Sequence, residues 1–297
     1  MIAGVDRAAA FLVPKHGSSA EECEDALCVL GADEAGLGDL GSDGPLVAAV
    51  ADGASESLLA RAWAHQVSAG AALAAYHDPE LLTDRARYAA FAAGLTDAWR
   101  DYVDTYVADR SARGRPVRWY EEPGLAKGAF ATLLAVRVEA PCLDDEPAPY
   151  DDSPDPAPRR WHAAALGDSC LFHVRDGRVV GAFPVDSADD FGTSPDLFGS
   201  RAADPELVAE RTRFAAGAAW PEDRLVLATD AFSAWLLGAA PDEAAERLRL
   251  LDECARDADG ERFAALVAAE RSAGALRNDD VAVVVLSVAE AAWTPSR

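Results

Sequence analysis

Three runs of the chain, "PLVAAVA" (45–51), "RLVLAT" (224–229) and "VAVVVLSV" (281–288), are apolar without the polar alternation of a strand that has one wet face. A continuous apolar run of this length implies a strand covered on both sides. Four more segments, "ALCVL" (26–30), "FATLLAVRV" (130–138), "WHAAAL" (161–166) and "CLFHV" (170–174), are short, apolar or β-branched, and bounded by turn residues. They too read as strands. Asp176-Gly177, between "CLFHVR" and "RVVGAF", is a two-residue hairpin signal.

Helical periodicity occupies two regions. From Ser57 to about Arg110 the chain is rich in Ala and Leu, with apolar residues three and four apart, and "HDPE" divides it into two helices. A second pair is expected between about Pro241 and Gly274. Strands, two helices, a strand series, two helices and a last strand make an α+β order, which predicts antiparallel sheets with helices segregated onto their outer faces. The Pro- and Asp-rich stretch 139–160 is abutted by apolar strands on both sides. It therefore reads as an exposed loop between neighbouring strands, and residues 1–297 as a single domain.

Half of the residues are apolar, so a substantial core is available, yet the formal net charge is −24, from 27 basic and 51 acidic residues. Such a field disfavours nucleic acid and anionic lipid as partners. It would repel an anionic substrate as well, unless bound cations reverse the sign locally. Five cysteines without a CxxC pair suggest neither a zinc knuckle nor a complete disulfide framework, and a reducing cytoplasmic location fits them. No secretory leader and no run of about 18 apolar residues is present, so no membrane association is expected.

The chemistry is concentrated at strand ends. Glu24-Asp25 precede "ALCVL", Asp52 ends "LVAAVA", Asp168 follows "HAAALG", Asp230 follows "LVLAT", and Asp279-Asp280 precede "VAVVVLSV". Taken singly, an acid after a strand is ordinary turn punctuation. Jointly, carboxylates at the ends of doubly buried strands need cations or hydrogen-bond donors. The chain has only two lysines, Lys15 and Lys127, and clustered acidic oxygens suit hard divalent ions, magnesium or manganese rather than zinc.

In order, "CEDALCVL", "LVAAVADGAS", "KGAFATLLAV", "HAAALGDSCLFHVRDGRVV", "LVLATDAFSAWL" and "RNDDVAVVVLSV" resemble the successive motifs of the metal-dependent Ser/Thr protein phosphatases of the 2C type, the PPM family. The resemblance runs from about residue 10 to 290. It implies a four-layer α-β-β-α sandwich with two central antiparallel sheets and two Mn2+ or Mg2+ ions in a cleft at one edge. By position, Asp52 would bridge both ions, with Glu24 and the Gly53 carbonyl on one and Asp230 and Asp279 on the other. Asp25 would orient water from behind the ligands, and Asp168 with Asp230 would hold a looser third ion. The implied reaction is hydrolysis of phosphoserine or phosphothreonine in a protein, the product of a Ser/Thr kinase, by a hydroxide bridging the metals.

The chain also departs from the family pattern. Asp52-Gly53-Ala54-Ser55 stands where Asp-Gly-His-Gly is usual, so the histidine that commonly protonates the leaving alkoxide is absent. Ala20 occupies the place of a phosphate-binding arginine; Lys15 and His16 are the nearest basic candidates for substrate binding. Cys23, Ala231 and Asp280 are milder replacements. These losses motivate a second reading, a catalytically weak pseudophosphatase that binds phosphoproteins as a regulatory module.

Overall fold

The computed structural model describes residues 7–31, 44–140, 158–191, 195–201 and 204–288. Its strands are β1 (Arg7–Val13), β2 (Ala26–Leu30), β3 (Leu46–Ala51), β4 (Phe130–Ala131), β5 (Leu133–Val138), β6 (Arg159–Leu166), β7 (Cys170–Arg175), β8 (Arg178–Phe183), β9 (Phe198–Gly199), β10 (Arg213–Ala219), β11 (Arg224–Ala228) and β12 (Val281–Ser287). The helices are α1 (Ala60–His77), α2 (Arg85–Ala112), α3 (Glu122–Lys127), α4 (Pro205–Arg211), α5 (Asp230–Leu237), α6 (Pro241–Asp257) and α7 (Gly260–Ser272).

Two five-stranded sheets, β1-β12-β11-β7-β8 and β10-β6-β5-β3-β2, are antiparallel at every pairing, with β4-β9 as a small third ladder. The expected α-β-β-α sandwich is the observed one. Alternation persists within the continuous apolar runs, because successive side chains of a strand point to opposite faces. In β3, Val47, Ala49 and Ala51 pack with Trp63, Val67 and Ala71 of α1, while Leu46, Ala48 and Val50 face the other sheet. In β12, Val281, Val283 and Val285 pack with Phe232, Leu251 and Phe263 from the helices, and Val284 and Leu286 turn inward. Both faces are apolar because both are covered.

The layer between the sheets mixes sizes. One sheet contributes Ala48, Ala163 and Ala165 among larger residues such as Leu46, Leu134 and Trp161; the other contributes Leu171, Leu225, Leu227 and Leu286. Small against large lets the two sheets interdigitate at interior density. Helix α1 is fastened to its sheet from β5, where buried Arg137 donates from Nη1 to the carbonyls of Ala75 (2.6 Å) and Tyr76 (2.9 Å) in the last helical turn. A cation there also meets the negative end of the helix dipole.

The hairpin signal is realised: Asp176 (φ 50°) and Gly177 (φ 70°) make the two-residue turn joining β7 to β8, with both central residues in the left-handed region. The segment 139–160 joins β5 to β6, and these strands pair directly, Val138 opposite Trp161. Strand β6 already begins at Arg159, so the connection is shorter than expected; residues 141–157 lie outside the described residues. Among the described residues no helix is long and apolar enough to cross a membrane.

Trp63 is fully buried, meets Trp99 and Phe198 edge-on at 5.1 and 5.3 Å, and donates from Nε1 to the Phe198 carbonyl at 2.7 Å. Trp63→Ala is therefore expected to cost about 3–5 kcal/mol of unfolding free energy by urea titration.

Candidate active site

The acids singled out by sequence lie at the same edge of the sandwich. Strand β2 pairs with β3 through Ala26 and Ala51, so Asp25 and Asp52 stand opposite each other one residue beyond the ladder. Asp52 is held by two backbone bonds to Thr132: its N–H donates to Oγ1 (3.1 Å), and its carbonyl accepts from the Thr132 N–H (2.8 Å). Thr132 Oγ1 in turn lies 2.8 Å from Ser169 Oγ, next to Asp168. Gly53 N–H donates to the Glu24 carbonyl at 3.2 Å, and Ala54 N–H to the Phe130 carbonyl at 2.9 Å. A Cβ on Gly53 would stand 2.7 Å from the Glu24 oxygen and 3.0 Å from the Ala60 backbone, so only glycine fits this approach.

Two side chains stitch one sheet to the other at this edge. Thr229, just after β11, donates from Oγ1 to Asp25 Oδ2 (2.8 Å), while its Oγ1 accepts from the Ala282 N–H (2.9 Å). Asp280, just before β12, accepts from the Lys15 N–H (2.7 Å) and the Glu24 N–H (2.9 Å) with its two oxygens. Asp280 thus sets the backbone that presents Glu24. Asp230, expected at a strand end, is the first residue of α5. A carboxylate in that first turn is favoured by the helix dipole.

Glu24 Oε2 accepts from Ser55 Oγ and pairs with Lys15 Nζ at 3.2 Å. His16 is exposed, and its backbone N–H donates to Asn278 Oδ1 at 2.7 Å. The two basic candidates are thus beside Glu24 and beside the turn that carries Asp279. Arg277 pairs with Asp230 and stands 3.7 Å from Asp279, a contact that sequence reasoning missed although the residue lies within "RNDD". Thr132 and Thr229 were also missed; neither carries a signal before the strands are assembled.

Burial and mutual repulsion govern the electrostatics. Asp25 is pushed well above the usual carboxylate range, first by burial and then by the charge of Asp52. Asp52 is pushed to about 7 by burial and by Asp279 and Asp168, with Arg277 pulling the other way. Asp168 is raised by burial, and its Oδ1 is buried without a hydrogen-bond partner. A buried, unpartnered carboxylate oxygen among other carboxylates calls for a cation.

The donor set here is entirely oxygen, which fits magnesium or manganese. Glu24, Asp52, Asp168, Asp230 and Asp279 are the carboxylates at or beside this edge that the sequence had singled out. Among the described residues no three acidic, histidine or cysteine side chains are gathered closely enough to bind a metal as they stand. Lys15 and Arg277 occupy carboxylates on either side of the cluster instead.

No protein-family model matches the chain, and no curated protein matches its sequence. Solved structures do match it. The photosystem II phosphatase PBCP aligns with a TM-score of 0.51 at 16% identity, over 95% of this chain and 98% of that one. A C. elegans sex determining protein aligns with a TM-score of 0.52 at 14% identity, over 96% of this chain and 65% of that one. The fold is that of the 2C-type, or PPM, phosphatases, as the order of the sequence motifs implied.

Two outcomes follow from this geometry. Gly53→Ala should lose about 1–3 kcal/mol of stability in denaturant titration, because backbone atoms of Glu24 and Ala60 must give way. A carboxyl whose pKa is higher in the folded than in the unfolded chain stabilises the fold below the unfolded value of about 4, and that contribution is lost as pH rises through the folded value. In chelator, stability should therefore fall between about pH 4 and about pH 7, with a slope of up to about 1.4 kcal/mol per pH unit for each such proton. Asp52→Asn should flatten that fall, as followed by urea midpoints across the range.

Proposed function

We propose that the chain, read as one domain over residues 1–297, is a metal-dependent phosphomonoesterase acting on phosphoserine or phosphothreonine in proteins. One observation carries this reading. Carboxylates from distant parts of the sequence, buried Asp25 and Asp168 and half-buried Asp52, lie close enough at one sandwich edge for Asp52 to be pushed up by Asp168 and Asp25 by Asp52. In a protein of net charge −24, that edge accepts a phosphate dianion only after cations have been bound. Two bound Mn2+ or Mg2+ ions would supply Lewis acidity, an acidified water and neutralisation of the phosphate oxygens.

In this proposal Asp52 serves both ions, Glu24 and the Gly53 carbonyl one of them, and Asp230 and Asp279 the other. Asp168, with its orphaned oxygen, belongs with Asp230 on a third, looser position. Asp25 takes the role of a positioning residue, since its Oδ2 already accepts from Thr229 and leaves the other oxygen for water. Lys15 and His16 stand at the rim where a phosphoprotein would arrive, and a Ser/Thr kinase would be the source of that substrate. The reaction would take place in the cytoplasm.

Ala54 offers no proton to the leaving group. A general acid typically contributes about 10²–10⁴-fold, so substrates with poor leaving groups lose most. The missing histidine also supports the second reading, a phosphoprotein-binding module with weak or no turnover.

Turnover of an aryl phosphate and of a phosphothreonine peptide, measured with manganese, separates these readings. The expected result is manganese-dependent turnover of both, with the aryl ester favoured, and a loss of at least about 10²-fold in Asp52→Asn. Manganese binding by calorimetry with no turnover of either substrate identifies the module; neither binding nor turnover rejects both.

A further inference from the structure

Two cations pair with carboxylates of the cluster, while a third, Arg271, donates to the carbonyls of Pro14 and Asp279. On one side Lys15 reaches Glu24. On the other, Arg277 contacts Asp230 Oδ2 with its terminal guanidinium nitrogen and approaches Asp279 Oδ2 with Nε at 3.7 Å. The turn that carries Arg277 folds back on itself, with the Asp279 N–H donating to the Arg277 carbonyl at 3.0 Å. The charge of Arg277 reaches further into the cluster, opposing the upward push on both Asp52 and Asp168. One guanidinium therefore contacts the carboxylates of α5 and of the approach to β12, and its charge is felt by Asp52 and Asp168 beyond them.

We propose that Arg277 is a built-in competitor for the divalent ion that Asp230 and Asp279 would hold. In the metal-free protein it neutralises that pair, and it must leave when the ion enters. The proposal rests on reading the cluster as a divalent-metal site. Asp230 Oδ2, in contact with the guanidinium, is not available to bind an ion directly at the same time. The exchange replaces a single, delocalised charge by a compact double one that coordinates carboxylate oxygens directly. Competition of this kind lowers apparent metal affinity by the fraction of protein in which the pair is open. The Arg277 side chain is 46% exposed and Asp230 16%, so solvent screening keeps the pair modest, and the expected effect is about two- to tenfold.

The same contact would make Arg277 a specificity device, since ions that gain little from Asp230 and Asp279 would not displace it.

Calorimetric titration with manganese chloride, on chelator-stripped wild type, Arg277→Gln and Arg277→Ala, tests this directly. Both variants should bind manganese about two- to tenfold more tightly than wild type, because both remove the charge, although glutamine keeps a polar group on an aliphatic stem that alanine lacks. Both should also melt at lower temperature than wild type when stripped, and together with wild type when saturated with manganese. Equal or weaker manganese affinity in both variants overturns the proposal and leaves the metal site standing. No manganese binding by wild type or either variant removes the metal site, and the proposal with it. Binding by the variants but not by wild type is the strongest form of the expected result.

Discussion

Repulsion among carboxylates that the sandwich does not let apart is the constraint to which the rest of the structure answers. Asp25 and Asp52 are fixed opposite each other by the β2–β3 ladder, and that ladder is clamped between the α1 layer and the inter-sheet core. Neither residue can relax away without pulling an apolar strand into water. Loss of a buried side chain's packing costs a few kcal/mol, comparable to the electrostatic strain it holds in place. The strain is met partly by protonation, partly by Lys15 and Arg277, and partly by the hydroxyl of Thr229, which donates to Asp25.

Two side-chain ties explain why the two sheets end together. Thr229 connects the β11–β12 end of one sheet to Asp25 at the end of the other, and Asp280 does the same toward Lys15 and Glu24. Each bond spans more than two hundred residues of sequence, so the edge is a property of the assembled sandwich. A site built in this way is stiff, because each acid is set by backbone that is itself tied across the sandwich. Its cost is the crowding of like charges that pushes Asp25 and Asp52 up, the usual exchange between a functional constellation and a relaxed fold.

Much of this was legible beforehand, for reasons that differ by element. The long apolar runs became β3, β11 and β12 nearly as bounded, because burial on both faces leaves an unmistakable pattern. Strands β1 ("RAAAFLV") and β10 ("RFAAGAA") were missed, since alanine and glycine carry little strand preference. In β10 the glycine has a tertiary reason: a Cβ on Gly217 would lie 2.4 Å from the Trp161 ring of the neighbouring strand. The eight residues of α5 were too few to show helical periodicity, so Asp230 read as a strand end rather than a helix start.

What the sequence determined by itself was the set of acids, their attachment to doubly buried strands, the antiparallel α+β order and the absence of a histidine or glycine at Ala54 and Ser55. These are local facts, written in residue type and period. Only the tertiary structure decided which acids face one another, that Asp280 and Thr229 serve as ties between sheets, that Lys15 turns to Glu24, and that Arg277 lies on Asp230 and Asp279. The physical reason is that hydrophobic patterning specifies which faces are buried, whereas charge-charge distances depend on how the strand ends align once two sheets have closed on each other.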